Sequence, residues 1–535
     1  MKLFCKIFLT AIIFFLSLPV FSQTKENLSS RIRETVEVLS SDKMEGREPG
    51  TREDREAAKY IAGVLKNFGF VPLIGESPLV PFEFTLYREV GYGSSMKIET
   101  NSLTEWKEWA LHPQSVAAEI TAKLTVYEPA PGNDSYRGKI VYLKSPADSI
   151  PFKASELKDS GALAIIVAAG SIEDMERKGG VNTYSLPVFL VAPGTESLMT
   201  ESAGKNLHLK SVVHPVKGHT YNVLMHLNRI KGGKSVLIGA HYDHLGMGGP
   251  GSGSITPKLK EVHNGADDNA SGVAVAAEVG RILAQKGDEL GFNVIVAAFG
   301  AEERGLIGSR RSADTLTALK LLPDLMINLD MVGRLKEERL QVGGVGTFTG
   351  ADKLAEDVNK KFGFILSLTK DGYGPSDHAS FYTAGVPVLY FTTGVHKQYH
   401  TPYDDIELIN FEGMEKISSY IAALLDSMNI AGFNPQYQKV VQPATMGRAS
   451  FKVTLGVIPD FTYEKGDGFR VGSVTDGKPA NRAGMLAGDI ITSMNGKKVT
   501  NIYDYMARLG ELKAGDKVEV DAVRDGKEIK LTIEL

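Results

Sequence analysis

A chain of 535 residues is too long for one hydrophobic core and implies several domains. Its 60 Lys and Arg against 64 Asp and Glu leave a net charge of −4, and this mild acidity argues against nucleic acid as a partner. Cys5 is the sole cysteine and stands near the start, so the mature chain is expected to hold no disulfide and no thiolate metal site.

Residues 1–22 combine Lys2 and Lys6, an apolar run over 7–20 and a small residue at Ser22, the pattern of a secretory signal peptide. The run is short and no stop-transfer pattern follows, which argues against a stable membrane anchor. Export to a periplasm or the extracellular space is therefore expected, in keeping with a cysteine-free mature chain.

Residues 25–115 read as the N-terminal part of the main domain. Ile32, Val36 and Leu39, then Ala57, Ile61 and Leu65, recur at helical spacing on either side of the polar loop Ser41-Asp-Lys-Met-Glu-Gly-Arg-Glu-Pro-Gly-Thr51. Short alternating runs over 80–109 read as strands. Between 116 and 215 the texture changes to brief β-like runs broken by Gly, Pro, Asn and Asp, as expected of a compact insert. Its Gly138-Lys-Ile-Val-Tyr-Leu143, Gly161-Ala-Leu-Ala-Ile-Ile-Val167 and Leu186-Pro-Val-Phe189 resemble the protease-associated domain, which implies a part in substrate access.

Residues 216–432 alternate strand-like and helix-like segments, the pattern of an α/β fold with a mainly parallel sheet sandwiched by helices. Gly246-Met-Gly-Gly-Pro-Gly251 leads into polar sequence and not into a helix, so it reads as a flexible surface loop and not a phosphate cradle. From 433 onward a linker precedes a last domain. There Thr454-Leu-Gly-Val-Ile458 and Pro479-Ala-Asn-Arg-Ala-Gly-Met-Leu-Ala-Gly-Asp489 resemble a PDZ domain of the bacterial protease type. That resemblance implies binding of a peptide C-terminus along a sheet edge, or docking on the chain's own catalytic domain.

The candidate chemistry lies at the ends of the strand-like runs. His241 ends residues 235–240, Glu302 and Glu303 follow 292–299, and Asp330 follows 325–329. Asp268 stands in an acidic loop opening a helix, and His400 precedes the last long helix of this region. Each has an ordinary explanation when taken singly: first-turn acids, a helix N-cap, a turn aspartate or a buried histidine. Helix caps have no reason to recur at successive strand ends, whereas a dinuclear hydrolytic site needs such donors to converge there.

The ordered set Gly-Ala-His241-Tyr-Asp243, Gly-Ala-Asp-Asp268-Asn-Ala-Ser-Gly, Ala-Glu302-Glu303, Asn-Leu-Asp330-Met, Ser-Asp-His378 and Tyr-His400-Thr resembles the secreted di-zinc aminopeptidases. These form metallopeptidase family twenty-eight, which also holds the glutamate carboxypeptidase and transferrin-receptor ectodomains. The resemblance implies two zinc ions: His241 and Asp330 on one, Glu303 and His400 on the other, and Asp268 bridging. It implies that Asp243 accepts the free ring N–H of His241, that Glu302 is the general base, and that Tyr373 donates to the oxyanion. Asp267 and His378 are expected to support the site without ligating. A peptide is then the expected substrate, and removal of N-terminal residues the expected reaction. A carboxypeptidase or other amide hydrolase on the same centre, or a non-catalytic receptor-like binding protein, are the alternatives.

Overall fold

The computed structural model describes residues 28–128, 136–144, 150–173, 176–181, 183–227, 229–249, 251–440, 453–460, 463, 467–500 and 502–535. The leader-like residues 1–22 lie outside the described residues.

A ten-stranded mixed sheet organises the largest unit. At its centre Val388–Thr392, Leu325–Leu329, Ser235–His241 and Asn293–Phe299 run parallel to one another. Antiparallel strands flank this block on both sides: Arg339–Gly343 beside Val388–Thr392, and Val213–Leu227 beside Asn293–Phe299. The central strands are buried almost throughout and mostly apolar because both faces are covered. In Ser235–His241 the pleat sends Val236, Ile238 and Ala240 into one core and Leu237 into the other. The first core is closed by the helices Leu28–Leu39, Arg52–Asn67, Gly272–Gln285 and Phe411–Ile430, the second by Ile307–Leu319 and His378–Thr383. Arg52–Asn67 starts where the Thr51 side chain caps the Asp54 N–H, and it buries Ala57, Ala58, Ile61, Ala62 and Leu65 along one stripe.

The insert has its own eight-stranded sheet with an apolar cluster on each face. It is wider than the sequence boundary of 116, because Ser95–Ile98 pairs with Asn206–Ser211 and Trp109–Leu111 pairs with Val188–Val191. Alternating apolar residues do not say which of two sheets a strand joins. The long pair Leu79–Val90 and Val213–Leu227 carries the chain out of the main sheet and back.

The C-terminal unit is a six-stranded sheet with the helix Ile502–Gly510 and a separate core around Leu455, Phe469, Ile491 and Val518. It touches the main unit through the Asp476 N–H, which donates to the Ile255 carbonyl at 3.1 Å.

The glycine-rich stretch is not the free surface loop that its composition suggests. Gly246 is buried, its N–H donates to the Gly46 carbonyl at 3.1 Å, and Gly248 bridges to Lys260. A Cβ on Gly46 would meet the carbonyls of Gly246 and His263 at 2.6 Å, so the close approach of the two loops requires glycine at that position. Among the described residues no helix is long and apolar enough to cross a membrane.

Candidate metal centre

Because the four central strands are parallel, the residues just past their ends emerge along one edge of the sheet. His241 is the last residue of its strand, Asp330 follows Leu329 directly, and Glu302 and Glu303 lie just beyond Phe299. His400 comes from the loop after Val388–Thr392. Asp268 belongs to the short turn Ala266–Ser271 that opens Gly272–Gln285, and its peptide bond to Asn269 is cis.

The structure brings these six side chains together around one cavity of about 300 Å³. His241 Nε2 lies 3.3 Å from Asp268 Oδ1 and 3.4 Å from Asp330 Oδ1. On the other side, His400 Nε2 lies 3.2 Å from Asp268 Oδ2 and 3.2 Å from Glu303 Oε2. Asp268 thus divides its two oxygens between two clusters. In both rings Nδ1 is tied to a backbone carbonyl, of Asp243 at 3.2 Å for His241 and of Gly253 at 3.0 Å for His400. Each Nε2 is thereby left facing the carboxylates.

Asp243 differs from its expected part. Its carboxylate is 3.9 Å from His241 Nδ1 and instead accepts the backbone N–H groups of Glu302 at 2.9 Å and Glu303 at 3.3 Å. Asp243 therefore holds His241 through its carbonyl and the paired glutamates through its side chain. Burial pushes its carboxyl up to about 8. Tyr373 is also displaced from its expected place: it packs edge-on against Tyr382 at 4.8 Å in the apolar cluster of the second face and is not among the residues lining the cavity. The tyrosines that do line it are Tyr390 and Tyr399, the latter stacked on His400 with ring centroids 3.8 Å apart. The residue before a ligand histidine was the available signal in sequence.

Several supporting residues are invisible to motif reading. His244 closes on Glu303 Oε1 with Nδ1 at 2.9 Å, and the same nitrogen lies 3.9 Å from Asp268 Oδ2. Asp404 accepts the N–H groups of both Asp267 and Asp268 at 2.9 Å, and Arg334 compensates it at 3.1 Å. Asn269 locks the Asp268 turn to the next strand: its Oδ1 accepts from Gly272 and Met331, and its Nδ2 donates to the Leu329 carbonyl. Arg47, fully buried, donates to the carbonyls of Tyr242 at 2.6 Å, Asn264 at 2.7 Å and Gly265 at 3.0 Å, as well as to that of Leu39. The polar loop 41–51 is therefore a clasp on the two segments that carry His241 and Asp268. Asp267 accepts from Gly333 at 2.6 Å and from Ser271, while His378 stacks on Tyr390, so both stand behind the cavity wall.

The charges are concentrated enough to perturb one another. Burial opposes charge on His241, but the Glu302 and Asp330 carboxylates outweigh it and hold the ring well above its ordinary pKa. Burial acts on Asp268 too, yet His241, His244 and His400 hold its carboxyl well below the usual range. For Glu302 burial wins: against the pull of His241, and with Glu303, Asp377 and Asp330 adding to it, its pKa is pushed well above the ordinary value.

These residues fit divalent cations. Two groups, His241 with Asp268 and Asp330, and His244 with Asp268 and Glu303, each bring one donor atom per residue within 4.8 Å of the others. Imidazole nitrogen with carboxylate oxygen is a donor set suited to zinc. Among the described residues, Asp330 Oδ1 is buried without a hydrogen-bond donor although His241 Nε2 is near, as expected where an ion and not a proton joins the two.

Residues 222–425 match the model of peptidase family M28, and residues 453–535 match the PDZ domain. The aminopeptidase YwaD of Bacillus subtilis is 30% identical over 301 residues, which are 54% of this chain and 62% of that protein. An aminopeptidase of Pseudomonas aeruginosa is 25% identical over 427 residues, 70% of this chain and 75% of its own length. Among solved structures, BSAP, a zinc aminopeptidase from Bacillus subtilis, aligns with a TM-score of 0.48 at 24% identity over 77% of this chain and 96% of its own. Residues 222–425 are thus similar to peptidase family M28, and residues 453–535 to the PDZ domain.

Proposed function

We propose that the chain is an exported, metal-dependent aminopeptidase that removes residues from the N-termini of peptides. The observation that carries this reading is the pair of donor groups sharing Asp268 at the end of a parallel sheet, with Glu302 beside them in the same cavity. His241 and Asp330 would hold one zinc ion, Glu303 and His400 the other, and Asp268 both, with His244 near enough to support the second. Bound there, the cations would supply Lewis-acid polarisation of the scissile carbonyl and acidify a water between them.

The chain's own residues do the rest. Glu302, buried and raised above an ordinary glutamate, is matched to taking a proton from the attacking water and returning it to the leaving amine. Asp243 fixes the backbone of Glu302 and Glu303, so that adjacent side chains serve different ends. Burial keeps the Tyr399 hydroxyl protonated far above neutrality, and its place on the cavity wall suits it to donate to the substrate oxygen.

Two observations favour an N-terminus over a C-terminus. The described residues lining the cavity include no lysine or arginine to hold a peptide carboxylate, while Glu302 is a lining carboxylate not assigned to an ion and free to accept from an ammonium group. The relatives from Bacillus and Pseudomonas are named aminopeptidases. Export is supported by the leader pattern of residues 1–22. The test is cleavage of a peptide library with free and blocked termini by zinc-loaded protein. Cleavage that survives N-terminal acetylation but stops on C-terminal amidation would replace this reading with a carboxypeptidase. No cleavage of any peptide would favour a binding role.

A further inference from the structure

The cavity wall is not drawn from the peptidase domain alone. Beside Leu306, Met331 and Val395, it includes Ile458 of the PDZ domain. Ile458 is the middle residue of the strand Val457–Pro459, whose neighbour Val457 packs on the PDZ core. Alternation along a strand turns successive side chains to opposite faces, so Val457 inward leaves Ile458 outward, toward the metal centre. A second contact fixes the placement. The Asp476 N–H donates to the Ile255 carbonyl, and the Ile255 N–H donates to the carbonyl of His400, both at 3.1 Å. The PDZ domain is thus two hydrogen bonds from a metal-site histidine.

We propose that the PDZ domain completes the substrate pocket, with Ile458 as the residue that selects an apolar side chain next to the scissile bond. This rests on the aminopeptidase reading above and extends it to substrate class: peptides with a free N-terminus and a medium-sized aliphatic first residue. Beside the imidazoles and carboxylates, the cavity is lined by Leu306, Met331, Val395 and Ile458, apolar residues of the kind that accept an aliphatic side chain. Ile458 makes no bond to reacting atoms, so its effect belongs to binding and discrimination and not to the chemical step.

The test uses the full-length, zinc-loaded protein and a series of alanyl, leucyl and phenylalanyl amide substrates. Ile458→Asp, which puts a charge on the apolar side, is expected to raise KM for the leucyl substrate about tenfold with kcat within twofold, and to change the alanyl substrate little. Ile458→Trp fills the pocket and is expected to move preference from leucyl toward alanyl. Asp476→Pro removes the N–H that Ile255 accepts. It stands where Gly477, with φ at +72°, follows it in a turn that tolerates proline at this position, so the PDZ fold is retained. This variant is expected to weaken leucyl preference in the same direction as Ile458→Asp. An unchanged leucyl-to-alanyl ratio of kcat/KM in all three variants would overturn the inference, as would a loss falling equally on every substrate through kcat. A wild-type protein inactive on all free N-termini would instead overturn the aminopeptidase reading itself.

Discussion

At the scale of single residues, the proposed site separates groups that would hold an ion from one group, Glu302, that would move a proton. Glu302→Gln keeps the shape and removes the proposed base. It is expected to retain zinc by elemental analysis and the wild-type melting temperature while losing about 10²–10⁴-fold in kcat, and wild-type turnover in that variant would remove Glu302 from the mechanism. His244 makes a different case, since it bonds Glu303 while its Nε2 is buried without a partner among the described residues. Loss of such an orienting partner typically weakens a metal site by about 10–100-fold. His244→Ala should therefore bind its second zinc equivalent more weakly in a competition titration with a chelator, whereas His400→Ala should lose that equivalent. His241, Glu303 and Asp330 were legible in the sequence as candidate donors because each stands at or just past an apolar strand-like run, and Asp268 and His400 through the motifs around them. Asp243, Tyr373 and Tyr399 were not, because a motif names residues near a site but not which atom faces it: Asp243 turns its carbonyl to His241 and its carboxylate to the glutamates.

Among the elements, the loop between the first two helices shows how a polar stretch far upstream serves the site. Arg47 sits where four carbonyls from three segments converge, and burial lowers its pKa to about 10, still charged at neutrality. Arg47→Ala strands those carbonyls in the interior, and removing one partner from a buried charged network costs about 3–5 kcal/mol. The expected result is a clear fall in melting temperature together with reduced zinc occupancy, since Tyr242 and Gly265 flank ligand-bearing segments. Arg47→Lys should fall between, because one ammonium cannot reach carbonyls spread as the guanidinium reaches them. The sequence marked this loop as polar and turn-rich, but three of the four partner carbonyls lie about two hundred positions away and leave no local trace. The same blindness misplaced the insert boundary, because Ser95–Ile98 alternates alike whichever sheet it joins.

In the whole molecule the described residues form three units with separate cores, so the units are expected to respond separately to stress, and the insert offers a means of seeing this. Both tryptophans of the chain, Trp106 and Trp109, lie in it, so their fluorescence reports on that unit alone. Within it burial lowers His112 to about 4, where its ring accepts from the Gln114 N–H and lies tilted against Tyr184 with ring centroids 4.8 Å apart. A histidine depressed in the folded state stabilises above its unfolded pKa of 6.5, and that contribution falls as pH drops from 6.5 to 4, by about 3 kcal/mol in all. The fluorescence-monitored melting temperature should accordingly drop across that window and hold nearly level from pH 7 to 8. His112→Phe should flatten the acid limb. Metal removal should act on the unit built around the ten-stranded sheet. Asp268, Glu303 and Asp330 share one cavity with Glu302, and zinc that binds only the folded site adds stability of about 4 kcal/mol when free metal exceeds its dissociation constant a thousandfold. Chelation at pH 7.5 should therefore lower the calorimetric transition of the peptidase unit by several degrees while leaving the tryptophan transition where it was. Zinc added back should restore the first without touching the second. If both transitions moved together on chelation, the insert and the peptidase sheet would be one cooperative unit, and the pH response assigned to His112 would have to appear in the peptidase transition as well.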